Sequence, residues 1–187
     1  VQPASWQARG RPSRGLLAAA GAALLLAGCA TPGPPGEAPW AQGRLALRVD
    51  ASASRPAQSL NLGFELRGDG ERGELRLTGP LGTRVAEARW SPREAVLDSG
   101  QGPVRYTSLE ALAAQALGEA LPLQALPPWL AGRPWPGAPH RALPAPAVGF
   151  EQLGWQVDLS RHAEGHVLAR RDTPPAVLLR VRLDAPD

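Results

Sequence analysis

The stretch Leu60–Gly82 (LNLGFELRGDGERGELRLTGPLG) decides the fold. Leu60, Leu62, Phe64 and Leu66 occupy every second position, against Asn61, Gly63, Glu65 and Arg67. That period of two is a strand with one buried and one wetted face. Gly68–Gly73 (GDGERG) is a turn or short loop. Leu75 and Leu77 then open a second strand, which ends at Gly79-Pro80. The same alternation recurs upstream in Leu45, Leu47 and Val49, and downstream in Ala86, Ala88 and Trp90. Short strands are expected at Val96–Asp98 and Val104–Tyr106.

The middle of the chain changes period. Thr107 with Glu110 fits a capping box. Leu109, Leu112, Ala113, Ala116 and Leu117 follow at helical spacing, and Gly118 is placed to end the helix. A second short helix is expected within Leu123–Leu130. Pro122 opens it, Pro127-Pro128 break or restart it, and Leu123, Leu126, Trp129 and Leu130 anchor it. Gly132–Pro146 carries five prolines and reads as a crossing loop. Strands resume at Phe150, with Leu153, Trp155, Val157 and Leu159 alternating. They continue at Val167–Arg171 and end with Ala176–Leu183. The pattern is mainly β with small helices, and half-apolar strands of this kind pair as an antiparallel sheet.

The 187 residues include 21 glycines and 21 prolines, nearly twice the usual combined share of about 12%. That disfavours a helical fold. All 20 basic residues are arginine, against 17 acids, for a net charge of +3. The excess is confined to the start of the chain. Arg9, Arg11 and Arg14 lead into Leu16–Ala27, an apolar run shorter than the roughly 20 residues that a spanning helix needs. Leu26-Ala27-Gly28-Cys29 follows, the pattern of a bacterial lipoprotein cleavage site. Residues 1–28 are therefore read as a signal peptide. Cys29, the one thiol of the chain, is read as the acceptor of a diacylglycerol and an N-acyl chain. Cleavage there removes three arginines and no acid, leaving 17 of each. A neutral domain lacks the basic excess of a nucleic-acid binder. Residues 29–42 read as a lipidated tether, since 30–39 (ATPGPPGEAP) is too poor in apolar area to pack. Ala30 stands where an aspartate would signal inner-membrane retention in enterobacterial lipoproteins, which points to the outer membrane.

An arranged catalytic or metal site is not legible. His140, His162 and His166 form no zinc motif, Ser99 and Ser160 lack a nucleophile-elbow context, and Asp50, Asp98 and Asp158 sit at strand ends. No cofactor or metal is expected, and the chain is read as no enzyme. Trp40, Trp90, Trp129, Trp135 and Trp155 are abundant instead, and large aromatics fill a core or line a cavity.

Several segments resemble the outer-membrane lipoprotein localisation factor family, LolB. They are Leu75–Gly82 (LRLTGPLG), Trp129–Pro134 (WLAGRP) after Leu121-Pro122-Leu123, and Phe150–Val157 (FEQLGWQV). Gly43–Leu47 (GRLAL), the lipoprotein cysteine and Arg180–Asp184 (RVRLD) fall in the same order. The chain departs from the family in His166–Arg171, which lacks a frequent preceding proline, and in Asn61–Leu66, which lacks a frequent tryptophan. The resemblance covers nearly all of 43–187. It implies a half-open antiparallel β-barrel of the LolA/LolB kind, enclosing a hydrophobic cavity. It further implies acceptance of triacylated lipoproteins from the periplasmic carrier LolA and their release into the inner leaflet of the outer membrane. The protein would act as a lipid-anchored monomer facing the periplasm of a Gram-negative bacterium. Leu81, projected by Pro80 and Gly82, matches the family's membrane-insertion leucine. Parity and helical spacing nominate Leu47, Phe64, Leu77, Trp90, Leu112, Leu126, Trp129 and Trp155 for the acyl-chain cavity. Arg89, Arg133 and Arg180 are candidates for contact with an acidic carrier. The competing readings are a non-catalytic lipid or glycolipid carrier and a structural assembly lipoprotein of the outer membrane.

Overall fold

The computed structural model describes residues 39–53, 55–117 and 121–185; the segment read as a signal peptide, Cys29 and Gly118 lie outside them. Six strands come first: β1 (Ala41–Val49), β2 (Gln58–Gly68), β3 (Gly73–Thr78), β4 (Arg84–Ser91), β5 (Glu94–Asp98) and β6 (Pro103–Tyr106). The helices α1 (Leu109–Leu117) and α2 (Leu126–Leu130) follow. Five strands complete the chain: β7 (His140–Ala142), β8 (Gly149–Gln152), β9 (Trp155–Asp158), β10 (His166–Arg171) and β11 (Val177–Leu183).

All strands belong to one antiparallel sheet of 11, ordered β6-β5-β4-β3-β2-β1-β11-β10-β9-β8-β7. The order explains the sequence pattern: each half is a meander of neighbours, and the two halves join where β1 pairs with β11. β6 and β7 are both edges, so the sheet is not closed. Gly43, the first residue of GRLAL, is required at that seam. A Cβ there would stand 2.1 Å from the Arg182 carbonyl oxygen.

Register lines up several apolar rows on one face of the sheet. Leu47 faces Leu60 and Leu179; Phe64 faces Leu77; Ala88 faces Leu75 and Leu97. These side chains point inward, onto the helices. Leu109, Leu112 and Ala113 of α1 are buried, as are Trp129 and Leu130 of α2. Burial of this continuous cluster is the main stabilising term, worth about 25 cal/mol per Å² of apolar surface.

The outer face is built from charges. Glu74, only 5% exposed, accepts from Arg67 at 2.6 Å and lies 2.7 Å from Arg76. Arg67 and Arg76 each stack on the Trp40 ring, their guanidinium carbons 4.5 Å from its centroid. Trp40 is thus tied to the outer face, and β1 starts at Ala41, inside the segment read as tether.

Four local readings are corrected. The α1 cap is Ser108, whose Oγ accepts from the Ala111 N–H at 3.1 Å, rather than Thr107. The second helical segment is a 3-10 turn (Leu123–Ala125) followed by α2, and Pro127-Pro128 sit in the first turn of α2. They restart a helix because the first-turn N–H groups have no intrahelical partner to lose. The crossing loop contains β7. The alternating run from Phe150 to Leu159 is a hairpin: Leu153-Gly154 turns the chain between β8 and β9. Leu153 has φ +55 and Gly154 φ +77, the sign pair of a type I′ turn.

Candidate functional site: the interior, its cavity and the Leu81 turn

α2 brings Trp129 to the centre of the concave face. Its ring is 1% exposed and lies 6.3 Å from Phe150, edge to face, and 6.2 Å from Trp155. The indole N–H donates to Gln152 Oε1 at 2.8 Å. Gln152 is itself buried and saturated. Its oxygen also accepts from the Trp135 N–H at 2.9 Å, and its nitrogen donates to the carbonyls of Trp135 at 2.7 Å and Ala138 at 2.8 Å. This one amide pins the proline-rich loop to α2 and β8. The sequence reading missed Gln152, because taking Leu153, Trp155 and Val157 as one face put it on the other, whereas it shares the buried face of β8 with Phe150.

The eight cavity candidates fall on the inner face or on the helices against it. Leu47, Phe64, Trp90, Leu112, Trp129 and Trp155 are buried, and Leu77 and Leu126 partly so. Trp90 also donates to the Asp69 carbonyl at 2.9 Å. None of the eight borders the apolar opening next to the β2–β3 turn. That is a cavity of about 930 Å³ beneath α2, lined by Ala41, Leu66, Pro127, Leu130, Trp135 and Leu183 among others. Its walls are mostly apolar, and the β2–β3 turn and Arg133 form its polar rim. Of its lining, Leu66, Leu130 and Leu183 lay on faces read from periodicity, whereas Ala41, Pro127 and Pro128 carry no periodic signal.

The β3–β4 turn is built as its residue types demand. Gly79 N–H donates to the Thr83 carbonyl at 2.8 Å, and Gly82 N–H to the Gly79 carbonyl at 2.9 Å. Pro80 takes the position after Gly79, where its fixed φ is favoured, and Gly82 supplies φ +75. Leu81 stands at the tip, 92% exposed. Single exposed apolar residues are ordinary, but a leucine this bare on a hydrogen-bonded turn is held out rather than left loose.

The structure does not bring the three candidate arginines together. Arg89 lies on the outer face of β4, paired with Glu87. Arg133 is at the cavity rim. Arg180 is on the outer face of β11, opposite Ala46. Among the described residues no cluster of His, Cys, Asp and Glu is arranged to hold a metal ion, and no helix is long and apolar enough to cross a membrane.

The described residues thus form one open antiparallel sheet packed on short helices, with an apolar interior and Leu81 projecting from a turn. The family model described as outer membrane lipoprotein LolB matches residues 40–183. The chain belongs to this family of outer-membrane lipoprotein localisation factors. It is 35% identical to the outer-membrane lipoprotein LolB of Bordetella petrii, over 97% of this chain and 95% of that one. It is 36% identical to that of Bordetella pertussis, over 87% and 88%, and 36% identical to that of Halorhodospira halophila, over 80% and 81%. Among solved structures, a LolA superfamily protein from Nitrosomonas europaea aligns over 78% of this chain and 84% of its own. The TM-score is 0.43 and the identity 11%.

Proposed function

We propose that this protein receives triacylated lipoproteins from the periplasmic carrier LolA and inserts them into the inner leaflet of the outer membrane. It does so as a periplasm-facing domain anchored by acyl chains on Cys29. The observation that carries the reading is Leu81, 92% exposed on a turn whose hydrogen bonds and glycine hold it away from the sheet.

The energetics suit that role. Each methylene exposed to water costs about 0.8 kcal/mol, so acyl chains in transit need continuous cover. The apolar cavity beneath α2 offers cover without disturbing the packed interior. Access to the eight candidates requires α1 and α2 to move off the sheet, because five of the eight lie on the strands and Leu112, Leu126 and Trp129 on the helices packed over them. Transfer then runs down a gradient of burial, from carrier to this protein to the bilayer, and needs neither a nucleotide nor a covalent step. Arg133 at the cavity rim is the best placed of the three candidate arginines to meet an acidic carrier.

Leu81→Glu tests the delivery step. The variant places a charge at the tip and leaves every hydrogen bond of the turn intact. It should accept an acylated lipoprotein from the carrier but pass it to liposomes at least tenfold more slowly. Normal transfer into liposomes would remove Leu81 from the mechanism.

A further inference from the structure

On the outer face, the β1–β11 seam carries positive charge with no partner. Arg44 and Arg182 are directly opposite each other in register, and Arg180 lies two residues before Arg182 on the same face. All three are exposed. Among the described residues none of them forms an ion pair, whereas Arg67, Arg76, Arg84 and Arg89 on the neighbouring strands all reach Glu74 or Glu87. Like charges directly opposite in a sheet are destabilising, and no acid among the described residues forms an ion pair with them. His166 extends the row, opposite Arg182. Asp184, two residues after Arg182, is the acid among the residues that line the same groove.

These residues form one wall of a groove of about 660 Å³. The other wall is Thr78, Gly79, Pro80 and Gly82, the base of the Leu81 turn. The floor is low because Ala46 and Gly63 carry little or no side chain. A Cβ on Gly63 would stand 2.4 Å from Thr78 Oγ1.

We propose that this groove binds the phosphate headgroups of anionic phospholipids at the bilayer surface while Leu81 enters the hydrocarbon beside it. The Leu81 half rests on the function proposed above; the arginine half stands on the groove itself. Guanidinium groups bind phosphate through paired N–H donors. The adjoining leucine decides between a membrane and an acidic protein. Phosphates at the same level as an apolar layer are the chemistry of a lipid surface, whereas an acidic protein face offers a bare leucine no dry place. Each arginine near an anionic surface raises binding about fivefold, so three give about a hundredfold at low salt, and salt screens the effect.

The test uses residues 35–187, which contain the entire sheet and core. Partition into phosphatidylcholine vesicles is measured with and without phosphatidylglycerol. The parent should bind the anionic vesicles far more tightly, and the R44Q/R180Q/R182Q variant should lose about a hundredfold of that binding at low salt. The corresponding triple lysine variant should keep most of it. Arg141→Gln, at the far end of the sheet, should change nothing. Removing opposed like charges should leave the melting temperature equal or higher, which separates lost binding from lost folding. Unchanged binding of the triple glutamine variant to anionic vesicles would overturn the proposal. So would unchanged vesicle binding with lost acceptance from the carrier, which assigns the groove to an acidic protein. A defect in Leu81→Glu alone removes the groove and leaves Leu81 in place; a defect in the triple variant alone does the reverse.

Discussion

Leu153 holds a left-handed backbone, φ +55, where a β-carbon is strained by about 1 kcal/mol. The Leu153-Gly154 turn needs positive φ at both positions, and asparagine tolerates that best before glycine. Leu153→Asn should therefore stabilise the protein by about 0.5–1 kcal/mol, read as a higher denaturant midpoint at unchanged slope. Gln152 is the opposite case. Its loss leaves the Trp129 indole and the carbonyls of Trp135 and Ala138 without their partner. A buried orphan costs about 1–3 kcal/mol, and here the indole is buried and the carbonyls partly so, so Gln152→Leu should lower stability by about 2 kcal/mol or more in the same titration. Neither residue was readable from periodicity. Leucine at 153 kept the apolar alternation going and hid the turn, and glutamine at 152 looked like an ordinary outward residue.

Among the elements, the long alternating strands were legible because one face is wetted and the other packs on helices. Short pieces were not. β7 is three residues long and fully exposed, so nothing apolar marks it. Ser108 and Thr107 are adjacent capping residue types, and only geometry selects one. The outer face of β2–β4 was legible as alternating charges, but its network was not. Burial pushes the Glu74 carboxyl up, yet hydrogen bonds and charge from Arg67 and Arg76 outweigh it and hold the group below its ordinary value of 4.5. A depressed carboxylate stabilises the fold above its unfolded pKa, and that contribution is lost as pH falls through the lower folded value. Asp158 acts in the same direction, held below 3.8 by the backbone N–H and hydroxyl of Ser160. Stability should thus decline below about pH 4.5. Glu74→Gln should flatten the upper part of that decline in denaturation curves taken across pH.

At the scale of the molecule, the sheet stays open between β6 and β7, and short helices pack on its apolar face and leave a volume beside α2. The sequence indicated an apolar interior but could not separate packed core from open cavity, since both need the same inward residues. Ala131 lies exposed at the cavity edge, just past α2. Ala131→Trp should close the opening, change stability by no more than about 0.5 kcal/mol as a surface substitution, and reduce uptake of a fluorescent fatty-acyl probe. The central claim is two-step transfer of an acylated cargo. The direct measurement mixes residues 35–187 with a purified lipoprotein–LolA complex, then adds liposomes and follows the lipoprotein. The lipoprotein should leave the carrier for this protein and then appear in the liposomes. A lipoprotein that stays on the carrier throughout would contradict the account.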